Sequence, residues 1–156
     1  MPSFKILNPQ FDSDVRDTFS SQSFLRVIGA EIASVSPGAV DVSLPCAEHL
    51  LQHHGYLHGA VVAAIVDTAC GCSALTLMPP RSSVLTVEYK VNFLAPAAGD
   101  RIIARGRVVK AGRRLTVCRG EAYARSGAAE KMVAALMATM IRLPAGPLPT
   151  GARAGS

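Results

Sequence analysis

Residues 57–77 read LHGAVVAAIVDTACGCSALTL, an apolar run interrupted by one carboxylate, Asp67. The run is long enough to suggest a membrane span. Asp67, two threonines, Gly71 and Ser73 inside it argue against one, and no second span follows. It reads instead as a helix buried in the core of a soluble domain. A helix apolar on nearly every side has to be surrounded, and a strongly curved sheet wrapped around it does that.

The flanking sequence supplies such a sheet. Residues 29–36 and 38–45 read as two strands joined at the turn SPG. After MPPRSS, strand-like segments at 84–94, 101–110 and 114–125 are separated by APAAGD, AGR and SGAA. TVEYKVNF and RIIARGRVV alternate as antiparallel strands with one wet face do. Residues 131–143, rich in Ala and Met, fit helix or strand by propensity, and the three antiparallel strands before them favour a fourth. Two short helices are expected at 11–20 and 23–28. The expected class is α+β: a curved antiparallel sheet of about six strands around one long central helix. Residues 1–24 then form a helical extension, 25–143 the domain, and the Pro/Gly/Ala-rich 144–156 a disordered tail.

The totals agree with one domain of 156 residues. Apolar residues make up 49% and aromatics 5%, with no Trp, so Ala, Val and Leu must carry the packing. The N-terminal MPSFKILNPQ lacks the apolar segment of a signal peptide. Cys46, Cys70, Cys72 and Cys118 lack paired CxxC spacing and read as small buried hydrophobes in a reducing, cytoplasmic compartment. Residues 1–80 hold three basic and seven acidic side chains, and residues 81–156 hold thirteen and four. The basic half is either a solvated face or an anion-binding surface. Nucleic acid fits poorly, because no recognition motif accompanies the charge, whereas a phosphorylated small molecule fits.

Asp67 is the only charged residue between His54 and Arg81. Burial of an unpaired carboxylate is costly and raises its pKa. Such a group either hydrogen-bonds a neighbour or pairs across an interface and is structural, or serves as general base or nucleophile. Gly59 falls near the helix N-terminus, where an unpaired N–H and the helix dipole favour negative charge, as an oxyanion hole requires. Glycine at a helix start is common, so this signal is weak alone. Eight residues separate the two, roughly 12 Å along a helix, too far to hold one carbonyl. Antiparallel pairing of two such helices in a symmetric dimer would combine Gly59 of one chain with Asp67 of the other.

LHGAVVAAIVDTA (57–69), LTVEYKVNFLAPAAGD (85–100) and VVKAGRRL (108–115) together resemble the hot-dog-fold acyl-CoA thioesterases, specifically the phenylacetate-pathway, PaaI-like group, over most of residues 25–143. The marker is a polar residue six positions before a His-Gly pair and an acid nine after the His: Gln52, His58-Gly59 and Asp67. The resemblance implies a hot-dog fold and hydrolysis of an aryl- or medium-chain acyl-CoA to free acid and CoA. It implies that the Gly59 N–H polarises the thioester carbonyl, that Gln52 helps hold the carbonyl or the water, and that Asp67 is nucleophile or general base. Thr86 would position the carboxylate or the water. Phe93 and Lys110, Ala111, Gly112, Arg113, Arg114 and Leu115 would line the CoA channel, the two arginines meeting phosphates. Arg142 is a further phosphate candidate. The chain departs from the usual His-Gly-Gly by carrying Ala60.

All four histidines lie between residues 49 and 58. Their i,i+4 spacings could bind zinc on a helix, but Gly55 interrupts any such helix, and only Glu48 sits at ligand spacing. No metal is expected, and no G-x-S-x-G elbow offers a serine nucleophile. His58 is expected to orient the helix start through ring hydrogen bonds and His54 to border the substrate entrance, with His49 and His53 on the surface. The expected assembly is a homodimer or dimer of dimers with no cofactor apart from the CoA of its substrate, and with no nucleic-acid or membrane partner. The alternative is a hot-dog protein that binds acyl-CoA as sensor or carrier without hydrolysing it.

Overall fold

The computed structural model describes residues 4–143, so the expected tail at 144–156 lies outside the described residues. Two short helices, α1 (Phe11–Ser20) and α2 (Ser23–Ile28), precede the hairpin β1 (Glu31–Ser36) and β2 (Ala39–Pro45). The apolar run forms α3 (Gly59–Leu75), and β3 (Ser83–Phe93), β4 (Arg101–Ala111), β5 (Leu115–Ser126) and β6 (Ala129–Leu143) follow. The helix is shorter than the apolar run at both ends. Leu57 is held in a bridge to Leu51, and His58 is the N-cap. Residues 131–143, ambiguous by propensity, belong to the strand β6 because β5 and β3 pair on either side of them.

The six strands form one antiparallel sheet in the order β1-β2-β4-β5-β6-β3. This sheet around one long helix is the hot-dog fold. Val62, Ile65, Val66, Ala69 and Cys70 of α3 are buried against it. The helix sits unusually close at one point. Gly106 and Gly120 are direct partners on β4 and β5. A Cβ on Gly106 would lie 2.2 Å from the Ala69 carbonyl oxygen, and one on Gly120 would lie 2.3 Å from Val66 Cγ1. At Gly106 only glycine lets strand backbone meet helix backbone in this way. Asp67 lies between these two contacts, which fixes its height above the sheet.

Farther along α3, buried polar groups replace apolar packing. The Ser73 hydroxyl donates to the Ala69 carbonyl and accepts from the Val40 N–H, and Thr76 accepts from the Gly38 N–H at 2.7 Å. These bonds satisfy the N–H groups of Val40 in β2 and of Gly38 just before it, both buried residues. Val15 and Phe19 of α1 and Leu25 and Ile28 of α2 join the same hydrophobic cluster as α3. The two helices therefore cover an end of the core and do not project from it.

At the other edge, β3 pairs with β6 alone. Leu85, Val87, Tyr89 and Phe93 along it are 44–55% exposed. Long apolar edge strands of this kind invite pairing with another chain. Among the described residues no helix is long and apolar enough to cross a membrane.

Candidate active site

Asp67 emerges from α3 toward the start of β3, where Thr86 donates its hydroxyl to both carboxylate oxygens, at 2.9 and 3.1 Å. Burial pushes the Asp67 pKa up, because desolvation penalises the charged form; the Thr86 hydrogen bond opposes this by favouring it. The net shift is upward. Met140 of β6 brings its sulfur to 3.5 Å from the Thr86 oxygen. A cavity of about 330 Å³ opens beside the carboxylate, walled by Gly71, Cys72 and Leu75 of α3 and by Val84 and Met140. A carboxylate with raised pKa, oriented by a hydroxyl and open to a cavity, is equipped to accept a proton or attack a carbonyl.

The opposite end of α3 is built around an unpaired N–H. The His58 carbonyl accepts from Val61 and Val62, at 3.0 and 3.2 Å, and the His58 ring Nδ1 accepts from Ala60 at 3.1 Å. The Gly59 N–H alone among these finds no acceptor in the described residues. The His58 ring thus caps the helix start, and Ala60, the departure from His-Gly-Gly, spends its N–H on that cap. Phe93 lies over Gly59 so closely that a Cβ there would sit 3.2 Å from the ring. Gln52, Tyr56, Gly59, Val62 and Phe93 share a second cavity of about 430 Å³. It has no lining residue in common with the first.

The sequence model of the thioesterase superfamily matches residues 54–131, a span that includes both Gly59 and Asp67. The chain belongs to the thioesterase superfamily. Several of its relatives are named as thioesterases, esterases or a CoA hydrolase. A crystal structure of a thioesterase family protein from Silicibacter pomeroyi is 43% identical, with a TM-score of 0.84, covering 85% of this chain and 98% of that one. A 1,4-dihydroxy-2-naphthoyl-CoA hydrolase of Listeria monocytogenes is 31% identical over 56% of this chain and 72% of its own length. The PaaI protein of the Escherichia coli phenylacetic acid degradation operon shares the fold at 20% identity and a TM-score of 0.79, over 89% of this chain and 97% of that one.

Within this thioesterase-superfamily chain the expected CoA-channel residues divide. Ala111, Gly112, Arg113 and Arg142 line a third cavity of about 220 Å³ at the far end of α3, together with Leu7 and Met78. Lys110, Arg114 and Leu115 are exposed and do not line it. The Arg142 Nε is buried with no hydrogen-bond partner among the described residues. Three other arginines of the basic half are engaged in ion pairs: Arg105 with Glu130 at 2.8 Å, Arg107 with Asp41 at 2.6 Å and Arg119 with Glu121 at 3.4 Å. His54 is exposed, its ring 3.9 Å from that of His53 and its N–H donated to the Gln52 side chain. It lines none of the three cavities.

Several lining residues had no signal in the sequence. Thr18, Ser21 and Gln22 border the Asp67 cavity from α1 and the link to α2, and Ser82 and Ser83 border it from the start of β3. Nothing in local spacing connects residue 18 with residue 67, because they line one cavity only once α1 packs on α3.

Proposed function

We propose that the protein hydrolyses acyl-CoA thioesters, with an aryl or medium-chain acyl group, at a site shared across a homodimer. One observation carries this reading: Asp67 with Thr86 and the free Gly59 N–H occupy separate open cavities about two turns apart on one helix. Both cavities border β3, the edge strand whose outer side has no partner among the described residues. Antiparallel pairing of two β3 edges about a twofold axis would continue the sheet and lay the two α3 helices antiparallel. Each Gly59 would then approach the partner's Asp67. Two such dimers packing together give the proposed dimer of dimers.

In this site the thioester oxygen accepts a hydrogen bond from Gly59 N–H, where the helix dipole also stabilises the charge that develops on it. The Gln52 amide, whose carbonyl end is held by the His54 N–H, keeps its amino group for the carbonyl or the water. Asp67 takes the proton from an attacking water, or attacks the carbonyl carbon itself and is freed by water in a second step. Either course expels CoA as thiolate and leaves the free acid. Arg113 and Arg142 are the chain's candidates for CoA phosphates. The Listeria relative, named for a naphthoyl-CoA, supports both the CoA ester and the aromatic acyl group. Four unbridged thiols support a reducing, cytoplasmic setting.

The test is thiol release over a panel of acyl-CoAs, with wild type and Asp67→Ala. Turnover should fall by about two to four decades in the variant, as loss of a general base or nucleophile predicts. Undiminished hydrolysis would remove Asp67 from the mechanism. Tight binding with no thiol release from the wild type would leave the sensor or carrier reading in its place.

A further inference from the structure

Thr86 and Met140 are direct partners across the β3–β6 ladder, immediately before the bulge at which Val87 is the extra residue. Register therefore puts the two side chains on one face of the sheet, toward α3. The Thr86 oxygen lies 2.9 and 3.1 Å from the Asp67 oxygens and 3.5 Å from the Met140 sulfur. One hydroxyl has one hydrogen and cannot serve all three acceptors at once. While Asp67 is charged the hydrogen goes to the carboxylate, because a thioether is the weaker acceptor. Once Asp67 takes up a proton it becomes a donor itself, and the Thr86 oxygen has lone pairs to receive it. The Thr86 hydrogen must then turn away, and the Met140 sulfur is its remaining acceptor among the described residues. Met140 is fully buried, and a hydroxyl hydrogen turned toward a purely apolar side chain there would go unsatisfied.

We infer that Met140 is a positioning residue: its sulfur takes the Thr86 hydrogen whenever Asp67 is protonated, which frees the Thr86 oxygen to accept from the carboxylic acid. The inference rests on the hydrolase reading, in the course where Asp67 takes the proton of an attacking water, and adds to it a residue that acts through Thr86. The water's proton passes to Asp67 and its oxygen forms the bond to the carbonyl carbon. Thr86 keeps its own hydrogen throughout and only rotates, and no bond changes at Met140. No other charged group faces this exchange. The walls that α1, its link to α2, β3 and β6 give the cavity carry no charged side chain. The titratable neighbours are thiols: Cys72 in the wall, Cys70 on α3 and Cys118 on β5. Burial pushes Cys72 and Cys118 up to about 12 and raises Cys70 as well, so all three stay neutral where a carboxyl titrates.

The experiment follows the Asp67 carboxyl by NMR titration of protein carbon-labelled at aspartate, with Asp67→Asn to assign the signal. It compares wild type, Met140→Leu, Thr86→Val and the double variant. Leucine conserves the volume of methionine, so the fold should tolerate the change. Without the sulfur the protonated acid is less well held, and the Asp67 pKa should fall by about half a pH unit, opposite in direction to the loss of Thr86. In the Thr86→Val background the same substitution should leave it unmoved, because the sulfur acts through the hydroxyl. The acid limb of the pH–rate profile for thiol release should follow the titration. No shift, or an equal shift in both backgrounds as altered packing alone would give, overturns the inference. A shift confined to the Thr86 background, with no thiol release from wild type, keeps the role of Met140 at Thr86 and sinks the hydrolase. Thiol release without that shift does the reverse.

Discussion

The Thr86 hydroxyl bridges both oxygens of the Asp67 carboxylate, at 2.9 and 3.1 Å, across the gap between β3 and α3. A single donor therefore opposes the desolvation that raises this carboxyl's pKa.

Removing that donor with Thr86→Val should raise the Asp67 pKa further, since the bond favours the charged form. For a carboxylate acting as base or nucleophile, the acid limb of the pH–rate profile should move to higher pH. Turnover at pH 7 should drop about tenfold and recover in part on the alkaline side. An acid limb that does not move would separate Thr86 from the titration. Stability should respond to Asp67 with a sign opposite to that of an ordinary ion-paired carboxylate. Its folded pKa lies above its unfolded one, so the native state holds the proton more tightly and stability falls as pH rises through that window. Asp67→Asn should thus raise the melting temperature at neutral pH, and the gain should vanish at a pH below the ordinary carboxylate range.

Much of the architecture was legible because it follows from one composition problem. An apolar helix with a lone acid needs a curved sheet around it, and alternating segments of suitable length are present to build one. The helix ends were less legible: Leu57 is as apolar as its neighbours, but a bridge to Leu51 takes it out of the helix. Residues 131–143 are decided by their pairing partners, which propensity does not contain. Gly59 and Asp67 stand out from the residues themselves, whereas Gln52 and Thr86 enter only through the family resemblance. Their division into two cavities, and the arrival of Thr18 and Gln22 on the wall of the Asp67 cavity, depend on how α1 and β3 pack on α3.

Gly59 is placed under a ring as well as at a helix start. Its φ is not in the left-handed region, so alanine is allowed by the backbone, but the added Cβ would lie 3.2 Å from Phe93. Phe93 is 55% exposed and has room to give. Gly59→Ala should therefore fold with little change in melting temperature. It should lose about tenfold in kcat/KM as the ring and the approach to the N–H are displaced. Phe93→Leu in the same chain should restore part of the loss. Failure of that rescue would mean that the methyl group obstructs the substrate directly.

Gly106 offers no such relief. A Cβ there would be 2.2 Å from the Ala69 carbonyl oxygen, which is helix backbone, in a part of the core with no free space. Gly106→Ala must push α3 off the sheet and should cost about 3 kcal/mol or more in denaturant unfolding. Gly120→Ala meets the ends of the Val66 and Cys70 side chains instead, and should cost less. Equal, small effects at both positions would show that the helix does not depend on this contact for its height.

The shared-site arrangement makes a prediction that no single-chain site can imitate. Asp67→Ala and Gly59→Val should each abolish most activity as homodimers, because each removes one half of both sites. When the two variants are unfolded together and refolded at equal concentrations, about half of the dimers should be mixed. In a mixed dimer one site receives both lesions, while the other receives an intact Gly59 from one chain and an intact Asp67 from the other. Activity should therefore return to about a quarter of the wild-type value at the same total protein. Sites contained within single chains would show no recovery at any mixing ratio, since every chain carries a lesion. Recovery that follows the fraction of mixed dimers, measured by mass spectrometry of the refolded sample, assigns Gly59 and Asp67 to opposite sides of one site.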